Sequence, residues 1–366
     1  MNAKITLNTT LRKFLYLLML LASTALVAQS RIELVHADFS RGVRLNTNEE
    51  VKILEGSVHI RQDTVEIFCD QAEYYREQNK VVLLNSVRLI RGSETLTANK
   101  VTYYELSKIA VCEGKVHLER PEQRLFCDYL RYFYETDQSF AKGNLVLIDD
   151  DARVTVTAEQ GEYLPEQSLS RVERNAHFLQ VDSSGTDTLH IFAEKMVYQF
   201  DPERMAIATD SVRIIRADLF ARCDSAVYQL DMERVFLEIE PVANQKNNEL
   251  TGYQIEFELP EMELSRIIVR QNAVAISVED SASQKINRLS GKEIQAFIQQ
   301  RQITELWAYD NARSQYFLKN EEVVQGVNNA SADTIKVFFR EGEVDIIQVK
   351  GGAEGVYKPD QITKKQ

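Results

Sequence analysis

The sequence is poor in cysteine, glycine, proline and positive charge, and each shortage excludes something. Four Cys in 366 residues are too sparse for a disulfide scaffold. Gly (14) and Pro (6) fall below ordinary usage. Collagen-like and low-complexity chains are therefore excluded, and turns must be made largely with Asn, Asp, Ser and Glu. Lys and Arg number 43 against 55 Asp and Glu, a net charge of −12. That argues against a nucleic-acid binder, which needs a basic footprint to release counterions from phosphates. Hydrophobic residues make up 44% and charged residues 27%, so the chain can bury a core and is not disordered. At about 150 residues per domain, the length alone suggests two or three domains.

The N-terminus reads as an export signal. Arg12 and Lys13 precede an apolar run from Phe14 to Ala28, and small residues, Ala25 and Ala28, come just before Gln29 and Ser30. A basic start, an apolar stretch and a small-residue cleavage zone describe a secretory signal peptide, here residues 1–28. The alternative is an uncleaved anchor, but the run is short of the ~20 residues needed to span a bilayer. No Cys stands near the cleavage zone to take a lipid. The mature chain is expected to be soluble and exported.

A repeat then dominates the chain. Gly56, Asn85, Gly114 and Gly143 are spaced by 29 residues, and each is followed two places later by Val58, Val87, Val116 or Leu145. The series continues more loosely at Asn175, Asp210, Asn272, Asn311 and Gly351. These residue types tolerate a left-handed backbone, so the column predicts a recurring turn or bulge. A second column lies between: Asp70, Asn99, Asp128, Glu159, Glu194 and Asp224. Cys or Ala always precedes this polar anchor, and Tyr always follows it by four: Tyr74, Tyr103, Tyr132, Tyr163, Tyr198 and Tyr228. The chain holds only 15 Tyr, so six at one offset is not a composition effect. Weaker units follow near Tyr253, Glu293 and Asp333.

Each unit reads as β. Apolar and polar residues alternate over short runs rich in β-branched and aromatic types. Two strands of about ten residues and two turns fill one period. KEIQAFIQQRQI at 292–303 has helical periodicity, but its place in the repeat favours strand. The alternation changes phase at the anchor, with apolar residues at offsets −3 and −1 before it and +2 and +4 after it. A bulge or bend there would return Tyr to the interior, and the anchors would mark a strand corner and not a site. The predicted fold is all-β, an elongated twisted β-jellyroll or β-roll of stacked antiparallel hairpin repeats of about 30 residues. One continuous stack is expected over residues 31–359, followed by a polar tail at 360–366. Stability would sum along it, and both end strands would be open edges that need capping or a partner.

No catalytic constellation stands out. The five His (36, 59, 117, 177 and 190) form no HExxH, and CxxC, GxSxG and phosphate-binding Gly loops are absent. The acidic anchor column includes Asn99 and gives one carboxylate per unit, which does not suit Ca²⁺. No metal or cofactor is expected, and no enzymatic activity. Cys69, Cys127 and Cys223 share the small-residue slot before the anchor and read as core residues. Cys112 is the only plausible disulfide partner among them.

Tandem A/C-D/N-x-A/V-x-Y units after an export signal, each followed by a turn and a G/N-x-V strand, resemble the OstA-like group of lipopolysaccharide-transport proteins. That group includes LptA, LptC and the N-terminal domain of LptD. The closing stretch SADTIKVFFREGEVDIIQVKGGAEGVYKP at 331–359 is similar to OstA-like proteins of Bacteroidetes-type Gram-negatives. The resemblance covers about residues 32–359. It implies a periplasmic, non-enzymatic carrier or bridge in outer-membrane assembly, whose apolar interior shields the acyl chains of lipopolysaccharide. It also implies docking of LptC-like and LptD-like proteins at the end strands, and allows end-to-end homo-oligomers. The sequence departs from the group by its many repeats and by expected loops at 181–189, 243–250 and 278–288. It also lacks the large LptD barrel and an anchor of the LptC kind.

A lipid carrier needs a continuous apolar groove and no reactive group. The charge of −12 suits a site that holds tails and leaves head groups in solvent. The Tyr column, with Ala72, Val101, Leu130, Met196 and Ala226 at +2, forms the candidate lining. The same side chains could simply fill a closed roll. In that case the chain would be a structural β-solenoid scaffold or a cell-surface adhesin without lipid cargo.

Overall fold

The computed structural model describes residues 32–44, 49–182, 185, 187–260, 263–280, 285–300, 302–320 and 323–359. The expected signal (1–28) and polar tail (360–366) lie outside the described residues. The chain divides into two compact units, the first up to residue 188 with 194–202, the second formed by 189–193 and everything from 203 onward.

The first unit is a ladder of antiparallel strands: β1 (Ile32–His36), β2 (Phe39–Arg44), β3 (Glu50–Gln62), β4 (Val65–Tyr75), β5 (Lys80–Arg91), β6 (Glu94–Tyr104), β7 (Ile109–Arg120), β8 (Gln123–Phe133), β9 (Gln138–Asp149), β10 (Val154–Leu164) and β11 (Leu169–Val181). Each strand from β3 onward pairs with the next. β1 and β2 both pair with β3, as two halves of one bent strand. β12 (Thr188–Gln199) is shared out between the units.

The second unit continues the pattern with β13 (Met205–Arg216), β14 (Leu219–Gln229), β15 (Arg234–Glu238), β16 (Val242–Gln245), β17 (Asn248–Thr251) and β18 (Gln254–Glu258). Longer strands follow: β19 (Arg266–Asp280), β20 (Lys285–Gln299), β21 (Gln302–Asn320) and β22 (Val323–Arg340), then β23 (Glu343–Lys350) and β24 (Glu354–Pro359). Here too bent strands appear as pairs of halves: β15 and β16 on β14, β17 and β18 on β19, β23 and β24 on β22. The fold is all-β, as the alternation predicts, and 292–303 is strand. The expected loops need correction. Residues 243–250 are mostly the hairpin β16–β17, and β19 and β20 extend into 278–288 from either side. β11 and β12 reach into 181–189.

Every strand of the repeat turns a corner midway, and the register shows how. Glu55 pairs with Gln71 and Val58 with Cys69, so Gly56 and Ser57 stand opposite Asp70 alone. The same irregularity recurs between β5 and β6, β7 and β8, and β9 and β10. This is a β-bulge, and it bends the strand. Of the expected alternatives, the bulge falls to the Gly/Asn column and the bend to the anchor. The extra residue lies in the Gly/Asn strand, and the anchor strand bends without one. Both bulge residues are left-handed, as at Gly56 (φ 80) and Ser57 (φ 45) or Gly143 (φ 79) and Asn144 (φ 47). All nine members of the Gly/Asn column have positive φ.

The anchor locks the corner. Asp128 Oδ2 accepts a hydrogen bond from Asn144 Nδ2 at 2.8 Å, Asp70 Oδ2 accepts one from Ser86 Oγ at 3.2 Å, and Glu159 Oε1 accepts one from Asn175 Nδ2 at 3.2 Å. Two further anchors, Asp38 and Asp333, donate their backbone N–H to Gly56 and Gly351 oxygens at 3.1 and 2.9 Å. The anchors are therefore corner residues, as expected.

Candidate functional site

Each bent strand of the first unit gives two arms, and four rows of side chains run across the strands between them. Beside the corner, Val58, Cys69, Val87, Ala98, Val116, Cys127, Leu145 and Ala158 are all buried. On the post-anchor arm the next row runs Leu54, Ala72, Leu83, Val101, Cys112, Leu130, Ala141. Ala72, Val101 and Leu130 in it are each 4% exposed. The Tyr column forms the row beyond. Tyr74, Tyr103, Tyr132 and Tyr163 alternate there with Val81, Ala110, Ser139 and Ser170. Large and small residues on successive strands let the rings fit side by side at a strand spacing of about 4.8 Å. The outer row of the pre-anchor arm is Ile60, Ile67, Leu89, Leu96, Leu118, Leu125, Leu147, Val156.

These rows are not covered evenly. Ile67, Leu89 and Leu96 on one arm, and Tyr74, Val81 and Tyr103 on the other, are half-buried. Farther along, Leu118, Leu125 and Tyr163 have no exposed surface, and Tyr132 keeps 4%. The two outer rows are thus open over β3–β6 and packed shut over β7–β10. Met196 packs against the same buried cluster, and Tyr198 is buried. In the second unit Ala226 is buried and Tyr228 half-buried, and burial raises the Tyr228 hydroxyl pKa to about 12. The candidate lining residues therefore fall on interior rows in both units.

The interior holds few polar groups. Tyr132 donates its hydroxyl hydrogen to Asp137 Oδ1 at 2.6 Å, and Tyr134 packs edge-on against both Tyr132 and Tyr103. All four thiols are free and buried. Burial pushes Cys112 and Cys127 up to about 12, and Cys69 and Cys223 to about 11. Such thiols are neutral and unreactive. Among the described residues no cluster of His, Cys, Asp and Glu could hold a metal ion. No helix among them is long and apolar enough to cross a membrane.

The outer surface carries a pattern that the sequence reading missed. Register places His36, His59, Phe68, Arg88, Thr97, His117, Phe126, Val146, Thr157 and His177 in one row across the pre-anchor arm. Four of the five histidines thus stand in line. His59 stacks on Phe68 with centroids 4.4 Å apart, His117 on Phe126 at 4.3 Å, and the Arg88 guanidinium lies 4.8 Å from the Phe68 ring. The signal was present as His59 and His117 three places after Gly56 and Gly114, but strand register is needed to see the row. Beside it, on the outside of the corner, lies an open depression of about 570 Å³. None of the candidate lining residues borders it.

Residues 29–178 match the family described as OstA-like protein. Among curated proteins, the LPS-assembly protein LptD of Nitrosomonas europaea is 31% identical over 88 residues. That match covers 20% of this chain and 12% of the relative, so the chain spans a small part of that protein's length. Among solved structures, LptH of Pseudomonas aeruginosa aligns over 38% of this chain and 95% of its own, with a TM-score of 0.31 and 15% identity. LptH is described as the LptA-homologous periplasmic component of the conserved lipopolysaccharide transport device. Over residues 29–178, then, the chain is similar to the OstA-like proteins.

Proposed function

We propose that the chain is a non-enzymatic component of lipopolysaccharide transport that works in the periplasm and shields acyl chains between the arms of its bent strands. The observation that carries this reading is the half-buried pair of apolar rows over β3–β6, with Ile67 and Leu96 facing the interior from one arm and Tyr74 and Tyr103 from the other. Binding there would follow apolar area, at about 25 cal/mol per Å² removed from water. The acidic surface then faces solvent and head groups. The OstA-like match and the LptD relative support the transport role. The edges of β1, β2, β23 and β24, which are unpaired among the described residues and leave Ile32, Leu34, Phe39, Ile346, Val356 and Tyr357 exposed, suit docking of LptC-like and LptD-like proteins or of a second copy by strand addition. Depletion of the protein in cells tests the role. Lipopolysaccharide should accumulate at the inner membrane, and normal delivery to the surface would contradict the proposal.

A second reading, a structural β-scaffold without cargo, is favoured by the closed packing at Leu118, Leu125 and Tyr163, none of which has exposed surface. Cells that lose surface integrity while lipopolysaccharide delivery stays normal would support it.

A further inference from the structure

We propose that the outer corner depression of the first unit binds a phosphorylated sugar. The argument starts from a break in the repeat. In the first unit the anchor is a carboxylate at Asp38, Asp70, Asp128, Glu159 and Glu194, and an amide only at Asn99. The second bulge residue is Ser57, Ser86, Asn144, Asn175 or Ser211 in neighbouring corners, and a cation only at Lys115. Asn99 and Lys115 belong to the same corner, where Ala98 and Asn99 of β6 lie across from Gly114, Lys115 and Val116 of β7. The amide of Asn99 packs over Gly114, since a Cβ built there would stand 2.6 Å from Asn99 Nδ2. An acid of the rule has become neutral, and a neutral residue of the rule has become a cation. Relative to the pattern of the first unit, this corner is more positive by two charges.

The depression lies at that corner. Asn99 and Lys115 border it, together with Arg88 and Phe68 of the outer row. Arg88 and Lys115 are exposed, and neither has a carboxylate within ion-pair distance among the described residues. In an acidic chain, two cations without acidic partners at one concavity leave a place for an external anion. The other groups suit a sugar more than a bare ion. Ser57, Ser86 and Thr97 present hydroxyls at the rim, and Asp70, whose carboxylate already accepts from Ser86, has lone pairs left for a sugar hydroxyl. Phe68 adds an apolar edge. The volume, about 570 Å³, falls within the range of small-ligand sites. The site lies on the outside of the arm and, although Val58, Cys69, Val87 and Ala98 of the row beside the corner form its floor, none of the candidate lining residues borders it, so it does not rest on the lipid reading.

The test is equilibrium dialysis of the full chain with glucose 1-phosphate, with glucose and inorganic phosphate as separate arms. The parent protein should bind glucose 1-phosphate more tightly than either arm alone. Asn99→Asp restores the repeat rule and should fold normally, yet it should weaken binding by about tenfold or more, as should Arg88→Gln. Lys115→Asn, which copies a neighbouring corner, should do the same. Equal binding by the parent and Asn99→Asp would overturn the proposal, as would no binding by the parent at millimolar ligand. Equal affinity for phosphate and glucose 1-phosphate would overturn the sugar part. A competition arm with lipopolysaccharide identifies the source. Displacement assigns the site to a lipid head group, and persistence of bound glucose 1-phosphate assigns it to a soluble or polymeric sugar phosphate.

Discussion

Asp128 covers Gly143. Its carboxylate accepts from Asn144 Nδ2 at 2.8 Å, and a Cβ added to Gly143 would stand 2.5 Å from Asp128 Oδ2. Gly143 also has φ 79, a conformation that costs little for glycine alone. Gly143→Ala should therefore destabilise the first unit by about 1–3 kcal/mol. Adding Asp128→Ala removes the steric conflict but keeps the backbone strain. In urea melts the double variant should lose less than the sum of the two single losses. Strict additivity would show that the anchor does not press on the corner.

Tyr132 is 4% exposed, and its hydroxyl reaches Asp137. Tyr132→Phe should cost about 1 kcal/mol, the net worth of one hydrogen bond. Tyr132→Asp buries an unpaired charge and leaves a void, which should cost about 3–5 kcal/mol. Unchanged melting of the Asp variant would show that the Tyr column faces solvent.

The thiols offer a reading of core integrity. Burial raises all four, to about 11 at Cys69 and Cys223 and about 12 at Cys112 and Cys127. At pH 8 roughly one thiol in a thousand or fewer is a thiolate. The native chain should resist iodoacetamide for hours and label fully in urea. Rapid native labelling of any of the four would contradict the packing beside the corners.

Acid should weaken the second unit through Glu258. Its carboxylate takes two hydrogen bonds from Arg266, at 2.8 and 2.9 Å, with Arg234 3.3 Å away, and Arg266 above all holds its pKa below the ordinary 4.5. A lowered folded pKa contributes stability that is fully present above the ordinary value and lost as the pH falls through the lowered one. The stability gap between the parent and Glu258→Gln should therefore shrink as the pH drops from about 5.5 to about 3. Parallel curves for the two proteins would contradict this.

Much of the fold was legible because the repeat writes backbone chemistry into residue type. Tyr at a fixed distance from the anchor marks an interior row, and Gly, Asn and Asp mark left-handed corners. The missed corners lack those residues. Ile239 and Glu240 turn one at φ 62 and 53, where a β-branched residue gives no hint of a left-handed backbone. Asp38 anchors the first corner, but Gly42 stands where the Tyr should be. The histidine row and the Asn99–Lys115 corner depend on which residues face each other across strands, and register decides that. The unequal opening of the interior rows is a matter of packing, and no residue pattern in the Tyr column announces it.

The most direct test of the proposed role is photo-crosslinking in cells from probes at Tyr74, Leu96, Leu125 and Tyr163. The first two lie on half-buried interior rows and the last two have no exposed surface. Lipopolysaccharide adducts should form at Tyr74 and Leu96 and be weak at Leu125 and Tyr163. No adducts at any of the four would contradict the placement of acyl chains between the arms.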